Sequence, residues 1–88
     1  MPVITLNNLD VHYREQGEAP QPAILLIHGL GCSLKYWACV FEAAELTSYR
    51  IIALDLPGFG MSAKPAAYDY SLRSQVDVVT AFMYARQV

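Results

Sequence analysis

The chain has 88 residues, 55% of them hydrophobic and 16% charged, with a formal net charge of −2. That length suits one small domain or a section of a larger one, and so apolar a composition excludes a disordered tail. The six basic residues are scattered, which leaves no patch to attract nucleic acid or an anionic membrane. No stretch approaches the roughly 18 apolar residues of a membrane span. Met1-Pro2-Val3-Ile4-Thr5 lacks the basic start and apolar core of a secretory signal.

Residues 3–6 are a short β-prone run, and Asn7-Asn8 is a turn signal. Val11-His12-Tyr13-Arg14 alternates, so Val11 and Tyr13 face one side and His12 and Arg14 the other. Together they predict an antiparallel hairpin at a sheet edge, on which His12 is solvated and without a partner. Pro20 and Pro22 place residues 17–22 in a surface loop. Ala23-Ile24-Leu25-Leu26-Ile27-His28 follows, an apolar run suited to a strand buried on both faces. It breaks into Gly29-Leu30-Gly31, where glycines permit a sharp turn and leave main-chain N–H groups free to face a ligand.

Ser33 then caps a helix over 34–46, with Leu34, Trp37, Phe41 and Ala44 on its apolar stripe and Glu42 and Glu45 in water. On that stripe Trp37 reads as core. Cys32 and Cys39, the only cysteines, would lie about 10 Å apart along a continuous helix, too far for a disulfide. Free thiols point to a reducing, cytoplasmic compartment, and two cysteines without a histidine pair are not a zinc site. Residues 50–55 predict a second buried strand. Pro57, Gly58 and Gly60 then force an irregular loop, and Ser71 caps a helix with Leu72, Val76, Val79 and Met83 on one face and Arg73 paired with Asp77. Val78, Ala81, Phe82 and Ala85 widen that face, so the helix asks for broad burial.

Four patterns bear on chemistry. Gly58-Phe59-Gly60-Met61-Ser62-Ala63 fits a dinucleotide fingerprint, but the helix that should receive the pyrophosphate is delayed to about Ser71. Gly31-Cys32-Ser33 and Gly60-Met61-Ser62 each begin a nucleophile elbow and lack its second glycine. Cys32 and His28 stand four residues apart around the turn, although a small residue in a glycine turn is the plainer role for Cys32. The fourth is the turn His28-Gly29-Leu30-Gly31 itself. Acyl transfer builds negative charge on a carbonyl oxygen, and backbone N–H donors after a strand, beside a helix N-terminus, can be aimed at it. The plainer role is a strand-to-helix turn.

His28-Gly29-Leu30-Gly31, Ser33, Trp37, the run Arg50 to Ser62 and Lys64-Pro65 together resemble the N-terminal section of the α/β-hydrolase superfamily. The likeness is to its esterases, C–C bond hydrolases, epoxide hydrolases and dehalogenases. The resemblance implies an α/β fold in which residues 1–88 are a single partial domain. Strands at 3–6 and 10–16 form an antiparallel hairpin, strands at 23–28 and 50–55 run parallel, and two helices pack on them. It implies that the Leu30 amide donates to an oxyanion, with Gly31 a second donor or the residue that shapes the loop, and that His28 and Gly29 support the turn. It implies a small-molecule substrate and no metal or cofactor. The superfamily's nucleophile, acid and base fall downstream of such a section, so the chain is expected to be inactive alone. Strand 23–28 would then be an open apolar edge, suited to self-association or to a non-enzymatic interaction module.

Overall fold

The structure, a computed structural model, describes residues 2–18, 20–29 and 32–88. Its elements are β1 (Val3–Leu6), β2 (Leu9–Gln16), β3 (Ala23–Ile27), α1 (Ala38–Glu42), β4 (Arg50–Leu54) and α2 (Leu72–Arg86), with 3₁₀ turns at Leu34–Trp37 and Ala44–Leu46. β1 and β2 pair antiparallel around Asn7-Asn8, whose φ angles of 52° and 64° lie in the left-handed region that asparagine tolerates. Two such residues in succession give a turn whose twist matches that of the strands.

The sheet order is β1-β2-β4-β3. β4 is an inner strand, antiparallel to β2 with Tyr13 opposite Leu54, and parallel to β3 with Ile27 opposite Leu54. All five β4 residues are buried. β3 lies at the margin of the sheet, none of its five residues is buried, and Ile27 is 44% exposed. The two-faced burial that its apolar run predicts therefore does not occur. The open edge implied by the family resemblance is what the described residues form.

Both faces of the inner strands are covered. On one, Val11, Tyr13, Ile52 and Leu54 pack with Val78 and Phe82 of α2, the Tyr13 and Phe82 rings edge to face at 5.3 Å. On the other, Ile51 and Ala53 pack with Leu34 and Phe41, and the Arg14 guanidinium lies 4.2 Å over the Phe41 ring. Trp37 packs against this second cluster, as its stripe predicts.

Three expectations are corrected. The antiparallel hairpin does lie at a sheet edge, but β1 alone forms that edge: β4 pairs with the second side of β2, so the strand that carries His12 is interior. Residues 34–46 are not one helix: Ala43 is extended (φ −72°, ψ 117°), which splits the segment into α1 and its flanking 3₁₀ turns. α2 is not broadly buried: Val78 and Phe82 of its widened face are, with Val79 and Ala81 packed against the core, while Leu72 is 82%, Val76 48% and Met83 37% exposed. Ser33 and Ser71 do cap, accepting from the amides of Lys35 and Ser74. Arg73 and Asp77 pair at 3.5 Å in the open.

The C-terminus of α2 is tied to β4 and β2. Arg50, 6% exposed, donates through one terminal nitrogen to the carbonyl of Gln87 at 3.0 Å, through the other to the carbonyl of Arg86, and through Nε to Glu15 at 2.9 Å. Arg86 donates to the other oxygen of Glu15 at 2.8 Å. A cation thus meets the orphan carbonyls and the negative end of the helix dipole. Burial acts to raise the Glu15 pKa, but the hydrogen bonds from Arg50 and Arg86 outweigh it and hold the carboxyl below its ordinary range.

Candidate functional site

The carboxyl end of β3 runs into the turn that the sequence singles out. His28 is 5% exposed, and its ring is fully engaged. Nε2 accepts the Leu56 N–H at 3.0 Å. An amide only donates, so Nε2 carries no proton, and the ring proton sits on Nδ1, which donates to the Gly29 carbonyl at 2.9 Å. Neither nitrogen is left to accept a proton from a nucleophile, and neither pairs with Cys32, whose own N–H donates to Gly29 at 3.1 Å. Cys32 and Cys39 are free thiols.

Leu30 and Gly31, the expected oxyanion donors, lie outside the described residues. Gly29 is described. Its φ is not positive, and a Cβ added there would meet no atom within 4 Å among the described residues. Steric demand from this part of the fold is therefore not what calls for a glycine at 29. Beside the turn lies a cleft of about 410 Å³, walled by His28, Leu56, Phe59, Tyr70 and Leu72, the His28 and Phe59 rings edge to face at 5.2 Å.

The far end of the turn is held by Asp55, 1% exposed at the end of β4. One carboxylate oxygen accepts the Leu34 N–H at 2.7 Å. The other accepts the Met61 N–H at 3.0 Å and faces His12 Nδ1 at 2.8 Å. Burial acts to raise the Asp55 pKa, but the His12 hydrogen bond and the Leu34 and Met61 amides outweigh it and keep the carboxyl ionised to unusually low pH. Gly60 (φ 52°) passes so close that a Cβ there would overlap the carboxylate. Ser62 Oγ donates to the Asp55 carbonyl and accepts the His12 N–H at 2.8 Å.

This overturns the reading of His12 as a solvated histidine without a partner: it is 7% exposed and bonded to Asp55. The reason is the segment leaving β4, which pairs beside β2 and sets Asp55 and Ser62 against His12. The nearest sequence signal was a lone carboxylate ending an apolar strand, Ile51-Ile52-Ala53-Leu54-Asp55. A buried carboxylate needs donors. The dinucleotide pattern at 58–63 is set aside for the reason expected, since the next helix starts only at Leu72. Among the described residues no three His, Cys, Asp or Glu side chains gather to hold a metal, and no helix is long and apolar enough to cross a membrane.

Comparison with known proteins agrees with this architecture. The mesoderm-specific transcript homolog protein of Homo sapiens is 36% identical over 81 residues, 90% of this chain and 24% of that protein. The (E)-2-((N-methylformamido)methylene)succinate hydrolase of Acinetobacter baylyi is 42% identical over 71 residues, 81% of this chain and 26% of that protein. The crystal structure of a meta-cleavage product hydrolase from Pseudomonas fluorescens superposes with a TM-score of 0.84 at 34% identity, covering 100% of this chain and 32% of that one. The chain thus spans about a quarter of the length of the curated relatives it matches. The sequence profile described as alpha/beta hydrolase fold matches residues 22–87, from the strand that leads into the His28 turn to the end of the helix locked by Arg50. With this match over three quarters of its length and a sheet that superposes on a solved relative, the chain belongs to the alpha/beta hydrolase fold family.

Proposed function

We propose that residues 1–88 are one partial unit of a cofactor-free, esterase-like hydrolase and contribute its oxyanion turn. The Leu30 N–H is the donor, Gly31 a second donor or the shaper of the loop, and His28 and Gly29 the support. The observation that carries this reading is the fixed His28 ring. Its Nε2 accepts from Leu56 and ties the exit of β3 to the backbone after β4, and with Nδ1 bonded to the Gly29 carbonyl the imidazole has no role as a base. Hydrolytic relatives support the reaction class, and their greater length supports a nucleophile, acid and base supplied by the rest of the fold. Alone, the 88 residues turn over no ester. Their small-molecule substrate is bound jointly with the remainder, and the free thiols favour a cytoplasmic setting.

The test grafts residues 22–87 into the Acinetobacter baylyi hydrolase in place of its matching segment. The chimaera is expected to hydrolyse that enzyme's substrate, and Leu30→Pro, which deletes one donor, to lower kcat by about 10²–10³-fold. A folded Leu30→Pro chimaera as active as its parent would sink the reading.

The β3 edge favours a second reading, a non-enzymatic module that associates through this strand, since Ile27 and the neighbouring Leu72 and Val76 are exposed together. Sedimentation velocity on the 88-residue chain is then expected to show a concentration-dependent dimer. A monomer at every concentration rejects it.

A further inference from the structure

We propose that His12 is a positioning residue for the 28–33 turn and acts through the Asp55 carboxylate, a role that rests on reading that turn as the oxyanion element. The turn is held at both ends by consecutive residues of the segment leaving β4. Leu56 grips its start by donating to His28 Nε2, and Asp55 grips its end by accepting the Leu34 N–H. Leu30 and Gly31 lie between those two points in the chain. The position of the Leu34 amide depends on which way the carboxylate plane faces, and that torsion is intrinsically broad and two-fold.

His12 removes the freedom. Its Nδ1 lies 2.8 Å from the oxygen that does not bind Leu34. Its own backbone is held by Ser62, whose hydroxyl also bonds the Asp55 carbonyl, so ring and carboxylate are referenced to the same short stretch of chain. Gly60 closes the remaining side of the carboxylate by backbone contact. A well-packed apolar pair at positions 12 and 55 would serve stability as well or better. What such a pair lacks is an acceptor aimed at Leu34. The His12–Asp55 pair therefore serves orientation, and orientation is what oxyanion donors require, since a displacement of about 1 Å can cost about 10²-fold in rate.

Two substitutions of similar polarity separate positioning from mere filling. His12→Asn puts a side-chain N–H where Nδ1 stands, whereas His12→Gln puts it one bond farther out and misses the carboxylate. In the 88-residue chain, amide exchange at Leu34 is expected to speed up at least about tenfold in His12→Gln and by less than about threefold in His12→Asn. In a longer chimaera that carries residues 3–87, so that His12 and β2 come from this chain, His12→Gln is expected to lower kcat by about 10–100-fold with KM within about twofold, and His12→Asn to restore most of it. Equal exchange at Leu34 in the two variants, or a loss expressed in KM alone, overturns the proposal. If His12→Gln does not fold, His12→Leu replaces it, with the same outcomes. If instead Leu30→Pro leaves turnover intact, the oxyanion reading fails, and the Leu34 exchange still decides whether His12 orients the turn.

Discussion

Asp55→Ala is expected to unfold most of the chain at room temperature. The carboxylate is 1% exposed and bonded to the Leu34 and Met61 amides and to His12, so its removal strands two buried donors, at His12 and Leu34. Met61 is 73% exposed, and its amide can turn to water. Hydrogen bonds to a charged group contribute about 1.5–3 kcal/mol each, so losing those from His12 and Leu34 costs about 3–6 kcal/mol. Domains of this length have about 4–13 kcal/mol in total, and a short chain with an open sheet edge belongs toward the low end. At about 4–8 °C per kcal/mol, the melting temperature falls by more than about 12 °C, read by circular dichroism. Asp55→Asn is expected to lose less, since one oxygen still accepts from Leu34 while its amide opposes the donors on the other side. A melting temperature within a few degrees of the parent in Asp55→Ala would show that the carboxylate is not what ties β2, β4 and the turn together.

Arg50→Met is the second large effect, at about 3 kcal/mol, the lower end for breaking a buried pair because Arg86 still faces Glu15. The substitution keeps apolar bulk and removes donors from Glu15 and from the Arg86 and Gln87 carbonyls. Urea denaturation should show a lower midpoint, with the last turn of α2 losing exchange protection first. The same lock is acid-sensitive. Glu15 has a folded pKa below its ordinary 4.5, so its stabilisation is fully present above pH 4.5 and is lost as pH falls through the lower folded value. Asp55 behaves in the same way below its ordinary 3.8. Below pH 4.5 the stability of Arg50→Met should therefore fall less steeply with acid than that of the parent. An unchanged slope would mean that Glu15 does not draw its low pKa from Arg50.

What could be read in the chain were features that local order determines. Apolar runs bounded by turn residues marked β3 and β4, the asparagine pair marked the hairpin, and Ser33 and Ser71 marked helix starts, because strand alternation and capping involve neighbours a few residues apart. The direction in which α2 faces was not legible. Leu72, Val76, Val78, Val79, Phe82 and Met83 offer several apolar stripes, and only packing against Val11, Tyr13, Ile52 and Leu54 selects Val78 and Phe82. The break at Ala43 was equally hidden, since the 34–46 periodicity suits a continuous helix. In the candidate site, the His28 turn was legible as a motif. The bond from Leu56 to His28 and the His12–Asp55–Leu34 connection were not, because they join residues 28, 43 and 21 positions apart.

The order of the strands sets a timetable for the growing polypeptide. Of the two inner strands of the sheet, β4 is the last of all four to be synthesised, and β3 and the second side of β2 find their partner only there. At about 5–20 residues per second, the interval between completing Ile27 and completing Leu54 lasts roughly one to five seconds. Throughout it, Ile24-Leu25-Leu26-Ile27 is an apolar segment with no sheet to join, and the contacts that will rescue it are long-range and slow to form. That exposure ends when residues 50–54 take their place between β2 and β3.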